Sequence, residues 1–131
     1  MARVLLVGID PEAVDFSDPA LPPGMDAETI RRGIARGLDD LRAAGHDTQQ
    51  LYIPADPAGL GELAGRLARE PVDCVVVGGG VRIPPRNLLL FEAVLNIIAG
   101  APGTPTIALV TRPDDAAPAV ARVLGQEPGS D

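Results

Sequence analysis

The feature that most constrains this chain is the alternation of two hydrophobic periods. Short continuous apolar runs, "RVLLVGI" (3–9) and "CVVVGG" (74–79), are separated by segments whose aliphatic residues recur at helical spacing. Val-rich runs of that length are what central parallel strands, covered on both faces, require. "TQQLYIP" (48–54) is mixed in character and ends in proline, which suits an edge strand. "TPTIALVT" (104–111) is intermediate.

The helical segments fall between these strands. Ile30, Ile34, Leu38 and Leu41 lie on one stripe of a first helix, with Asp26 as N-cap and Gly45 as its C′ stop. Leu60, Leu63 and Leu67 mark a second helix, closed by Glu70-Pro71. Residues 88–99 form a third, with Asn87 as a natural N-cap. A fourth starts at Asp115 and carries Val120, Val123 and Leu124. Pro118 then falls in its first turn, where a missing N–H costs nothing.

Strict alternation of strands and helices implies a parallel sheet with helices on both faces, linked by right-handed crossovers. The polar edge at 48–54 and the apolar centres at 3–9 and 74–79 favour strand order 2-1-3-4. The expected fold is therefore α/β: a small, doubly wound, flavodoxin- or Rossmann-like sandwich on a four-stranded parallel sheet. At 131 residues the chain reads as one domain over 1–125 with a polar tail at 126–131.

In this order the chain reverses direction between strands one and three, and ligands of open α/β sheets bind beyond the carboxyl ends of strands at such a point. The connections at 10–26 and 78–87 face each other there. The second of them, "GGGVRIPPRN", carries the candidate site. Gly79 and Gly80 let a ligand approach the backbone, and the following helix start, with Asn87, offers unpaired N–H groups. Arg82 and Arg86 bracket a stiff Pro84-Pro85 pair, and Arg112 lies on the same rim. Together they suit an anionic, phosphate- or carboxylate-bearing small molecule. The competing reading is a tight glycine turn whose arginines pair with Asp10, Asp15, Asp18 or Asp114.

The 10–26 connection is long for a βα loop, where about two to six residues are usual, so it reads as a lid or binding loop. Asp10, at the strand end, is the candidate general base or Mg²⁺ ligand of a hydrolase- or lyase-type enzyme. Asp18, in "SDP", is ordinary turn chemistry. His46 and Cys74 lie at the opposite, amino end of the sheet, and Cys74 reads as a small buried hydrophobe.

Composition narrows the chemistry. The chain has eleven arginines, no lysine and eighteen acids, for a formal charge of −7. Such a field opposes nucleic acid, whose binding rests on phosphate neutralisation. Without lysine there is neither a P-loop lysine nor a Schiff base, which disfavours PLP. "GIDPEA" replaces a G-x-G-x-x-G fingerprint, which disfavours NAD, and few aromatics are available to stack on FMN. One cysteine rules out an intrachain disulfide, and no segment resembles a signal peptide or membrane span. The expected location is cytoplasmic, without membrane contact.

"NLLLFEAVLNIIAG" is apolar over most of its helical circumference, more than packing on one sheet face needs. A homodimer through helix 88–99 is the expected cover, and a non-catalytic dimeric interaction module is a further alternative. The segments "VDFSDPALPPGM", "VVVGGGVRIPPRNLLLFEAVLN" and "TRPDD" resemble a set of short, uncharacterised bacterial proteins with the same turn signatures. That resemblance runs from residue 3 to residue 115 and implies a Rossmann-like domain, with no activity, cofactor or catalytic residue attached.

Overall fold

The computed structural model describes residues 2–13 and 26–125. Its elements follow in the order β1 (Arg3–Ile9), α1 (Ala27–Ala43), β2 (Asp47–Ile53), α2 (Pro57–Arg69), β3 (Cys74–Val77), α3 (Gly79–Arg82), α4 (Leu88–Ala99), β4 (Thr106–Leu109) and α5 (Ala116–Leu124). Short 3-10 turns occupy Pro11–Ala13, Pro85–Asn87 and Pro113–Asp115. The four strands form one parallel sheet in the order β2-β1-β3-β4, as the distribution of polar and apolar runs implies.

The pleat divides the core in two. Leu5, Val7, Ile9, Val75 and Val77 point to one face, where they pack with Leu63 and Leu67 of α2 and Val94 and Ile98 of α4. Val4, Leu6, Cys74, Val76 and Ala108 point to the other, under Leu41 of α1 and Ala116, Ala119 and Val120 of α5. β1 and β3 are central, so both sets of their side chains are covered, and this is why neither run alternates in polarity. Each large aliphatic buried this way contributes about 1.5–3 kcal/mol.

Helix ends follow their sequence signals closely. The Asp26 carboxylate accepts from the Thr29 N–H at 2.7 Å, and that bond holds its pKa below the ordinary value. Asp56 caps α2 in the same way through Gly59, with Pro57 at the first helical position. Gly45 follows α1 at φ +92, a conformation that favours glycine. At the amino end of the sheet, buried His46 accepts the Ala2 N–H on Nδ1 at 3.1 Å and so ties down the start of β1.

Three expectations need correction. β3 stops at Val77, because the chain enters the helical turn of α3 at Gly79; the Ile83 N–H then bonds the Gly79 carbonyl at 2.7 Å. Asn87 is not a side-chain cap: it ends a 3-10 turn, and its Nδ2 donates to the Gly80 carbonyl at 3.0 Å. α4 also buries more of itself than a single stripe. Val94 and Ile98 are fully buried and Leu90, Phe91, Leu95 and Ile97 partly so, which leaves Leu88 (65% exposed) and Leu89 (74%) as its bare large residues. Among the described residues no helix is long and apolar enough to cross a membrane.

Candidate functional site

The carboxyl ends of β1, β3 and β4 form the floor of a crevice of about 80 Å³ under α1. Leu6 to Ile9 supply one side of that floor, Gly78 to Gly80 the middle, and Val110 and Thr111 the far side. Ile30 and Ile34 of α1 overhang it, and Pro113 and Ala116 close it beside α5. It lies at the reversal between β1 and β3, the place where open α/β sheets in general bind ligands. Among the described residues lining it there is no carboxylate, although eighteen residues of the chain are acidic.

The roof is fixed by a notch in α1. Gly33 and Gly37, one helical turn apart, let the Pro113–Asp115 turn approach closely. A Cβ on Gly33 would stand 2.8 Å from a Pro113 ring carbon, and one on Gly37 would stand 2.5 Å from the Pro113 carbonyl oxygen.

The glycines of the crevice fall into two kinds. A Cβ on Gly79 would meet the Thr111 carbonyl at 2.6 Å, and one on Gly78 would meet the Val7 carbonyl at 3.1 Å. Close packing of the start of α3 between the ends of β1 and β4 is reason enough for both. Gly80 and Gly8 differ. Added Cβ atoms there would find their nearest neighbours at 3.7 Å (Ile9) and 3.6 Å (Gln50), ordinary contact distances, and neither residue has a positive φ. No described residue requires glycine at either position, yet both line the crevice.

The arginines stand around this space rather than in its walls. Half-buried Arg82 donates to Thr111 Oγ1 at 3.0 Å and reaches the Val110 carbonyl at 3.5 Å, so it braces α3 against the end of β4. Its Nε is buried and finds no hydrogen-bond partner among the described residues. Arg86 is exposed on the Pro85–Asn87 turn. Arg112 pairs with Asp114 at 3.5 Å, the plain ion-pair reading of that residue. It also borders a separate groove of about 250 Å³ with Arg32 and Arg36, beyond the Ile30–Pro113 ridge.

Asp10 lies at the strand end as expected, where its carboxylate accepts the Glu12 N–H at 2.9 Å and so initiates the Pro11–Ala13 turn. Burial, and then the charge of Asp10, raise the Tyr52 phenol above its ordinary pKa. Asp15 and Asp18, with most of the expected lid, lie outside the described residues. No three His, Cys, Asp or Glu side chains converge as metal ligands among the described residues. Cys74 is fully buried, and burial pushes its thiol up to about 11.

Of the residues singled out in the sequence, Gly79 and Gly80 line the crevice, whereas Arg82, Arg86, Asn87 and Arg112 are not among its lining. Gly8 was visible as a glycine inside an apolar strand, a pattern that marks close approach of a ligand or backbone. Ile30 and Ile34 were read as core, and Pro113 carried no signal.

No family model matches the chain, and no curated protein does. A solved structure is similar in fold: the solution structure of a phosphate-loop protein, 20% identical, covering 94% of this chain and 90% of that one with a TM-score of 0.51.

Proposed function

We propose that the protein binds a small anionic molecule in the crevice between β1, β3 and α1. The observation that carries this reading is the pair Gly8 and Gly80, which leave backbone bare in one crevice without a packing reason among the described residues. Among the described residues the wall has no carboxylate although the chain is acidic, which supports an anion, since it spares the ligand like-charge repulsion from that wall. Arg82, held beside the crevice by its bond to Thr111, supplies the countercharge at the rim. The description of the solved neighbour as a phosphate-loop protein agrees with this ligand class.

The test is a thermal-shift panel of phosphate, pyrophosphate, nucleotides, sugar phosphates and organic acids, on the wild type and on Gly80→Ala and Gly8→Val. A ligand at a hundred times its Kd adds about 2.7 kcal/mol, worth several degrees in a domain this size. Both variants are expected to keep the unliganded Tm within a few degrees and lose the ligand shift. Equal shifts in all three proteins would refute the site.

A hydrolase- or lyase-type reaction at Asp10 has less support, because its carboxylate is engaged by the Glu12 N–H. The bare Leu88 and Leu89 favour a second property, a homodimer through α4. Two copies of charge −7 repel over most of their surface, and α4 carries a single charged residue, Glu92. An apolar, self-complementary patch is therefore the face on which they can meet. Leu88→Glu should convert a dimer to a monomer in light scattering; a monomeric wild type would refute the dimer.

A further inference from the structure

We infer that the ligand is a short, branched organic anion, whose apolar body fills the crevice while its charged group stays at the glycine rim. The inference rests on the anion reading above and adds to it the chemistry of the remainder of the molecule. Ile30, Ile34, Val110, Pro113 and Ala116 make the overhanging wall, and none of these side chains offers a hydrogen bond. Among the described lining residues only Gln50 and Thr111 have polar side chains, and backbone is left bare at Gly8 and Gly78 to Gly80. Gln50 Nε2 is itself directed to the Leu51 carbonyl at 3.3 Å, and Thr111 Oγ1 accepts from Arg82.

A sugar hydroxyl or a second phosphate under that roof would give up its water for nothing, which is unfavourable. An aliphatic group there gains about fourfold in affinity for each methylene taken out of water, by the usual transfer scale. The volume sets the size. A cavity of about 150 Å³ takes a benzene ring, so a crevice of about 80 Å³ suits a branched chain of about three to five carbons better than a ring.

The experiment is a titration of the ¹⁵N-labelled full chain followed by NMR. One series is acetate, propionate, isobutyrate and isovalerate; a second is inorganic phosphate against isobutyl phosphate; a third is the neutral amides of the same acids. The expected result is that affinity rises about fourfold per carbon along the acids up to isovalerate. The largest shifts should fall at Gly8, Gly78 to Gly80 and Thr111, and the amides should bind at least tenfold more weakly. Isobutyl phosphate outranking isovalerate would identify the head group as phosphate, and the converse as carboxylate; both support the inference.

Ile34→Asn should flatten the rise with chain length, weakening isovalerate far more than acetate, which separates the apolar wall from the rim. A flat acid series, with phosphate or acetate binding at the same amides, would overturn the apolar body and leave the anion site standing. Amides equal to acids would overturn the anion reading and the inference with it. No binding by any probe at tens of millimolar would refute both.

Discussion

Two glycine-to-alanine substitutions, both inside helices, should act in opposite directions. Sequence considerations alone make Gly37→Ala in α1 and Gly61→Ala in α2 equivalent. Each removes a flexible residue from a helix interior and should stabilise by about 0.5–1 kcal/mol. At Gly61 an added Cβ meets nothing within 4 Å, so that gain should appear in full. At Gly37 the same atom would stand 2.5 Å from the Pro113 carbonyl oxygen and 3.4 Å from the Ala116 Cβ. A backbone oxygen cannot rotate away, so α1 or the Pro113–Asp115 turn must move. Overpacking of this kind costs about 1–3 kcal/mol, which exceeds the helical gain and leaves a net loss of about 0.5–2 kcal/mol. For a chain of this length about 1 kcal/mol corresponds to roughly 3–5 °C in Tm. Calorimetry should therefore show Gly61→Ala melting about 2–4 °C higher than wild type and Gly37→Ala about 2–8 °C lower. The second variant should also bind crevice ligands more weakly, because Pro113 is part of the wall. Gly37→Ala melting above wild type would refute the close approach, and with it the reason given for the crevice's shape.

Cys74 should resist a thiol reagent at pH 8 in the native protein and react once per chain after unfolding, since burial holds its thiol up at about 11. The unfolded thiol ionises from about pH 8.5 while the folded one keeps its proton, so unfolding gains and stability should fall as pH rises from there towards 11; pH-dependent denaturant melts of wild type and Cys74→Ala check the sign. His46→Ala should leave the buried Ala2 N–H without its acceptor and cost about 1–3 kcal/mol. In the same variant, hydrogen exchange should quicken first at the start of β1, and unchanged exchange there would show that the bond is dispensable.

The chain's own pattern determined the layers. Val-rich runs without alternation can only be strands covered on both sides, and the polar "TQQLYIP" can only be an edge, so the order 2-1-3-4 and the position of the crevice follow from periodicity. The caps at Asp26 and Gly45 were equally legible, because capping is a contest between a side chain and the nearest few backbone groups. Asn87 was misread for a related reason. A cap residue signals through local geometry, but the Gly80 carbonyl, seven residues back along the chain, won its side chain.

What the tertiary structure alone decided is why each glycine is a glycine. Gly79 and Gly80 are adjacent and identical in sequence, yet one is held against the Thr111 carbonyl and the other would make only ordinary contact with Ile9. Likewise, Ile30 and Ile34 continue the stripe that buries Leu41, but near the amino end of α1 that stripe overhangs a crevice instead of a core. Periodicity reports which face of an element turns inward. It does not report what lies opposite, because that depends on residues remote in the chain, here Pro113 and Thr111, brought close only when β4 joins the sheet.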